Sequence, residues 1–74
     1  MLSEHSLAVL CRDLPKHRLA VGDVGTVVHV YREGAGYELE FVDGAGQTYA
    51  QVTVEAEIVR PVRSGELLHT RTAG

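Results

Sequence analysis

Gly25-Thr26-Val27-Val28-His29-Val30-Tyr31, then Tyr37-Glu38-Leu39-Glu40-Phe41-Val42, then Gln47-Thr48-Tyr49-Ala50-Gln51-Val52 are the runs whose reading decides the fold. The first is rich in β-branched residues. The second alternates apolar and polar side chains with the period of a half-buried strand. Glu33-Gly34-Ala35-Gly36 and Asp43-Gly44-Ala45-Gly46 stand between them, two glycine-bearing segments short enough to reverse the chain. The three runs therefore read as an antiparallel meander over residues 25–32, 37–42 and 47–52.

The turns predict a register. If Glu33 pairs with Gly36, then Val30 faces Leu39, Val28 faces Phe41, His29 faces Glu40 and Tyr31 faces Glu38. If Asp43 pairs with Gly46, then Leu39 faces Ala50, Tyr37 faces Val52, Glu40 faces Tyr49 and Glu38 faces Gln51. Both pairings gather apolar residues on one face, and a slip of one residue would scatter them. The outer face is then expected to carry the rows His29–Glu40–Tyr49 and Tyr31–Glu38–Gln51, with Val27 opposite Val42. Such cross-strand pairs contribute roughly 0.2–1 kcal/mol each.

Working outward, residues 6–12 form a short apolar run that reads as a first strand. Residues 13–22 make a long connection, in which Pro15 excludes a central strand. Residues 54–57 read as one 3₁₀ turn and residues 58–62 as a short fifth strand, with Val59 inward and Ile58 outward. The expected architecture is all-β, an SH3-like five-stranded small barrel with a long first loop and a 3₁₀ turn before the last strand. The barrel is expected over residues 1–63. Residues 64–74 are polar, end in small side chains, and read as a flexible C-terminal tail.

At a finer level the chain resembles a family of small bacterial proteins known as domain of unknown function 4926. The resemblance rests on Arg12-Asp13-Leu14-Pro15, on Gly22-Asp23-Val24-Gly25-Thr26-Val27-Val28-His29-Val30-Tyr31, on Tyr37-Glu38-Leu39-Glu40-Phe41-Val42-Asp43 and on Arg60-Pro61-Val62. It covers about residues 7–63 and implies an SH3-like fold, loosely similar to the barrel of nitrile hydratase β subunits. It implies no established activity, and it supplies no catalytic residues.

The totals narrow the functions. At 74 residues the chain makes one small domain, which hides only about 60% of the surface its unfolded form exposes. Trp is absent and Phe41 is the sole Phe, so the core must be aliphatic. Seven Lys and Arg are scattered among ten Asp and Glu, a balance that repels a phosphate backbone and disfavours nucleic acid. One cysteine, Cys11, cannot form an internal disulfide, and its apolar surroundings predict a small buried hydrophobe. Residues 1–6 lack the basic start and apolar stretch of a signal peptide, and no run approaches a membrane span. A reducing cytoplasm is the expected compartment.

No chemistry-bearing constellation stands out. His5, His17, His29 and His69 match no metal-ligand spacing, so neither metal nor cofactor is expected. His29 beside Glu40 could form a general base, yet an open sheet face with no nucleophile favours a surface ion pair. Glu38 and Glu40, about 7 Å apart by strand geometry, lack the cleft that glycoside hydrolysis needs. Gly22-Asp23-Val24-Gly25 suits a tight turn with positive φ at the glycines and a capping Asp23. Tyr31 and Tyr49, expected outward on one face, are the best interface candidates, since tyrosine offers large area and a polar tip. Ile58 on the exposed last strand adds an edge that could pair with a second copy.

The expected function is therefore a non-enzymatic interaction module. It would bind a protein partner, or self-associate as a homo-oligomer, through Tyr31, Tyr49, His29, Glu40 and Ile58. The alternatives are a KOW-like RNA-contacting domain using Lys16, Arg18 and the glycine turn, or an accessory barrel subunit of a larger enzyme.

Overall fold

A computed structural model of the chain describes residues 1–68 and Arg71. It is all-β. The strands are β1 (Leu7–Leu10), β2 (Val24–Tyr31), β3 (Gly36–Val42), β4 (Thr48–Glu55) and β5 (Val59–Pro61). Short 3₁₀ turns occupy Pro15–His17, Arg32–Gly34 and Ala56–Ile58. All pairings are antiparallel, in the order β4-β3-β2-β1-β5. The long first loop and the 3₁₀ turn before the last strand stand where the sequence puts them.

The ladder does not close into a barrel, because β4 and β5 are not paired with each other. β5 offers only three residues and ends in Pro61, which has no N–H to donate. The sheet still encloses one core. Leu10 from β1, Val27 from β2, Leu39 from β3, Val52 from β4 and Val59 from β5 belong to a single buried cluster. Leu2 caps it by donating its backbone N–H to the buried Tyr37 hydroxyl at 3.0 Å.

Over residues 30–31 of the first hairpin and 36–41 of the second, the registers differ from the expected ones by two residues. Val30 pairs with Tyr37 and Tyr31 with Gly36, because the turn spans residues 32–35. Arg32 and Glu33 adopt left-handed backbone there (φ 46° and 57°), which lengthens the reversal. Leu39 pairs with Val52 and Tyr37 with Val54, since the second turn runs from Asp43 to Gln47 and Tyr49 adds one more residue as a bulge. The Asp43 carboxylate accepts the N–H groups of Ala45 and Gln47 at 2.9 and 3.0 Å and fixes that loop. A shift of two preserves the alternation, so the hydrophobic pattern is satisfied by both registers.

Two irregularities do change faces. The β2–β3 ladder slips between Val27 and His29, leaving Val28 as the extra residue of a bulge. Val27 therefore faces Leu39 and is fully buried, while Val28 is only half-buried. This reverses the expectation that Val28 points inward and that Val27 stands outside opposite Val42. The β3–β4 ladder slips between Phe41 and Val42, which leaves Tyr49 without a strand partner.

Gly25 is buried beneath the ring of Phe41. A β-carbon placed at position 25 would lie 2.9 Å from two ring atoms of Phe41 and 3.1 Å from the Glu40 carbonyl oxygen. This glycine thus serves close approach, whereas Gly22, at φ 94°, serves the turn. Two further expectations are corrected. β1 ends at Leu10, so Cys11 is exposed, with its N–H donated to the Ile58 carbonyl at 2.7 Å. Ile58 belongs to the last 3₁₀ turn and packs half-buried against the core, because that turn rolls its side chain inward.

Candidate functional site

The outer face of the sheet begins at the β2–β3–β4 end. His29 pairs across the ladder with Glu38, not with Glu40. The Tyr31 hydroxyl donates to the Glu38 carboxylate at 2.6 Å, and the Gln51 amide donates to its other oxygen. The His29 and Tyr31 rings meet edge to face at 4.3 Å. The side-chain row Tyr31–Glu38–Gln51 thus exists although the backbone partners are shifted. The long tyrosine reaches diagonally to the carboxylate. This hydrogen bond holds Glu38 below the usual carboxylate range and raises the Tyr31 phenol above its ordinary value. Near neutral pH the pair is a phenol donating to a carboxylate, on an open face with no enclosure around it.

The row His29–Glu40–Tyr49 does not form. Glu40 pairs with Gln51 and accepts the Thr48 hydroxyl at 2.7 Å. Tyr49, as the bulged residue, packs half-buried against the core and donates its hydroxyl to the Arg18 carbonyl at 3.3 Å. Glu40 and Tyr49 instead line a groove of about 640 Å³. Its apolar wall includes Leu7, Val24, Phe41 and Val42, and three carboxylates lie along it, Asp23, Glu40 and Asp43. Leu7 and Thr26 are strand partners, as are Thr26 and Glu40, which places most of this wall on the outward side of β1, β2 and β3, while Phe41 reaches it from the core. His29, Tyr31 and Ile58 do not line this groove. A smaller apolar cleft of about 420 Å³ lies at the other end, between Met1, Leu2, Tyr37 and Val59.

The groove has one feature that no sequence pattern announces. Leu68 and Arg71, far along the chain, complete its lining. Arg71 donates to both oxygens of Asp23, at 2.7 and 2.5 Å, and to the Arg18 carbonyl at 3.1 Å. Asp23 is fixed in turn by accepting the Ala20 N–H at 2.9 Å, so the capping role read from the glycine turn is present. A separation of 48 residues between Asp23 and Arg71 carries no local signal.

A second contact ties the same segment down. Arg60 donates to both carboxylate oxygens of Glu66, at 2.9 and 2.5 Å, and Glu66 also accepts the Arg63 N–H at 2.8 Å. Arg60 pairs with Val9, which is only 4% exposed although it points away from Ala8 and Leu10. The ion pair with Arg60, backed by the Arg63 N–H, lowers the Glu66 carboxyl from 4.5 to about 2. A depressed folded value means that this stabilisation is complete above pH 4.5 and is lost as pH falls towards 2. A carboxyl-carbon NMR titration should place the Glu66 midpoint near 2, and Arg60→Ala should return it towards 4.5. An unchanged midpoint in Arg60→Ala would refute the ion pair as the cause.

Among the described residues no group of three or more His, Cys, Asp and Glu is placed to hold a metal ion. His5, His17 and His29 are exposed and separate, and His69 lies outside the described residues. Lys16 and Arg18 are exposed on the first loop, on and just after its 3₁₀ turn. Among the described residues no helix is long and apolar enough to cross a membrane. A family model described as "Domain of unknown function (DUF4926)" matches residues 4–61. No curated protein and no solved structure matches the chain.

Proposed function

We propose, on the premise that this chain belongs to the family of the domain of unknown function DUF4926, that it is a non-enzymatic module binding an extended segment of another protein. The segment lies in the groove between Leu7, Val24, Val42 and Tyr49 and carries one apolar and one basic side chain. The observation that supports this reading is the groove's chemistry, an apolar wall with Asp23, Glu40 and Asp43 along it. Aliphatic walls reward burial of an apolar side chain, and convergent carboxylates orient a cation. The same carboxylates disfavour a phosphate backbone, so protein is preferred to RNA. A partner chain is preferred to a second copy, because this chain's own Leu68 and Arg71 already sit in its own groove. Tyr31 and His29 extend the surface beside it as a pre-ordered aromatic rim.

Selection of random peptides displayed against the immobilised chain tests this. Enriched sequences should pair an apolar residue with Arg or Lys, and Leu7→Asp or Val42→Asp should weaken their binding at least tenfold. Both residues are exposed, so neither change disturbs the core. No enrichment, or enrichment indifferent to both substitutions, would sink the reading.

A further inference from the structure

The groove contains a more particular site at its Asp23 end. A guanidinium there meets two kinds of acceptor. Two oxygens of Asp23 accept it in parallel, the Arg18 carbonyl accepts a further N–H, and the Tyr49 hydroxyl donates to that same carbonyl. The Asp23 side chain is only 12% exposed, and its hydrogen bond from Ala20 holds the carboxylate in place. A planar fork of donors fits paired carboxylate oxygens and an adjacent carbonyl together, whereas an ammonium is a point charge that does not match that geometry.

Resting on the reading of the groove as a protein-binding surface, we infer that the Asp23 site is a receptor for an arginine side chain, filled in cis by Arg71 and in trans by an arginine of the partner. Leu68, three residues before Arg71, enters the same groove and shows the spacing the site accepts, an apolar residue followed three positions later by arginine. The hold on this internal occupant is partial, since Leu68 is half exposed and Leu67 almost fully exposed. Glu66, clamped by Arg60, anchors the segment upstream of Leu68. An arginine that leaves Asp23 therefore stays tethered close by, at an effective concentration of order millimolar for a short linker. A partner must exceed that competition, so the chain's own arginine sets a threshold affinity for entry.

The test uses the full chain and a synthetic peptide with the sequence of residues 66–72, in an arginine and a lysine version. Without peptide, Arg71→Ala should shift the amide resonances of Ala20, Asp23 and Tyr49; silence at all three overturns the inference. With peptide, Arg71→Ala should bind the arginine version at least tenfold more tightly than the unsubstituted chain. It should bind the lysine version at least tenfold more weakly than the arginine one. Equal binding by the two chains, or equal binding of the two peptides, overturns the inference. If display-selected peptides still bind in a Leu7-dependent manner in that case, the groove reading stands and only the arginine site falls. If no peptide binds either chain, both fall.

Discussion

A chain carrying Val27→Asp is expected to be unfolded at 25 °C, while Val28→Asp remains folded. Val27 is fully buried opposite Leu39, and among the described residues the core holds no polar or charged side-chain group beyond the Tyr37 hydroxyl, which already accepts the Leu2 N–H. The new group would take up a proton rather than stay charged there, and even then it costs about 2–7 kcal/mol without a hydrogen-bond partner. The whole stability of 74 residues, at roughly 0.05–0.15 kcal/mol each, is roughly 4–11 kcal/mol. Val28, the extra residue of the bulge, is half-buried and does not pack against the core cluster, so its replacement costs about 1 kcal/mol. Circular dichroism during urea unfolding separates the two. Simple alternation along β2 predicts the opposite order, so an unfolded Val28→Asp beside a folded Val27→Asp would remove the bulge from the fold.

The second large effect is Leu39→Ala. Leu39 is fully buried in β3, the strand flanked by both β2 and β4, and it faces Val27 on one side and Val52 on the other. Truncation there removes side-chain contacts and leaves a cavity between three strands, at a cost of about 2–5 kcal/mol. For a domain of this size that lowers the melting temperature by roughly 10–40 °C. Leu39→Met, which nearly conserves volume, should cost less than about 1.5 kcal/mol. Thermal melts of the two variants give the comparison. A Leu39→Ala chain melting within a few degrees of the parent would mean that the core does not centre on β3.

Much of this fold was legible. The alternation Tyr37-Glu38-Leu39-Glu40-Phe41 is intrinsic to β3, and each of those side chains lies on the expected face. What the alternation cannot resolve is a register displaced by two, because the pattern repeats with that period. The turn lengths, together with the extra residue at Tyr49, decided it, through left-handed backbone at Arg32 and Glu33 and through the Asp43 carboxylate. Bulges were illegible for a related reason. An extra residue at Val28 or Tyr49 leaves composition unchanged and alters only which neighbours face inward.

The candidate site divided accordingly. Tyr31 and His29 stand on the outer face because they lie between the bulge and the turn, where the expected alternation holds. Tyr49 left that face because it is itself a bulge residue, and Ile58 because the 3₁₀ turn extends one residue further than expected. Glu40 kept its face and lost its histidine. The anchoring of Arg71 on Asp23 depends on the path of the chain beyond β5, which neither periodicity nor turn chemistry encodes.

The seat of the Phe41 ring over Gly25 fits the alignment that the turns and the bulge produce. The bulge at Val28 adds one residue to the displacement set by the turn, and the alignment that results brings the chain's single phenyl ring onto a residue without a side chain. In the alignment that the turns first suggest, the ring would meet the branched side chain of Val28. The sheet thus carries a notch cut for one key, and a sequence that kept every apolar position but filled the notch would force the phenyl ring out of its seat.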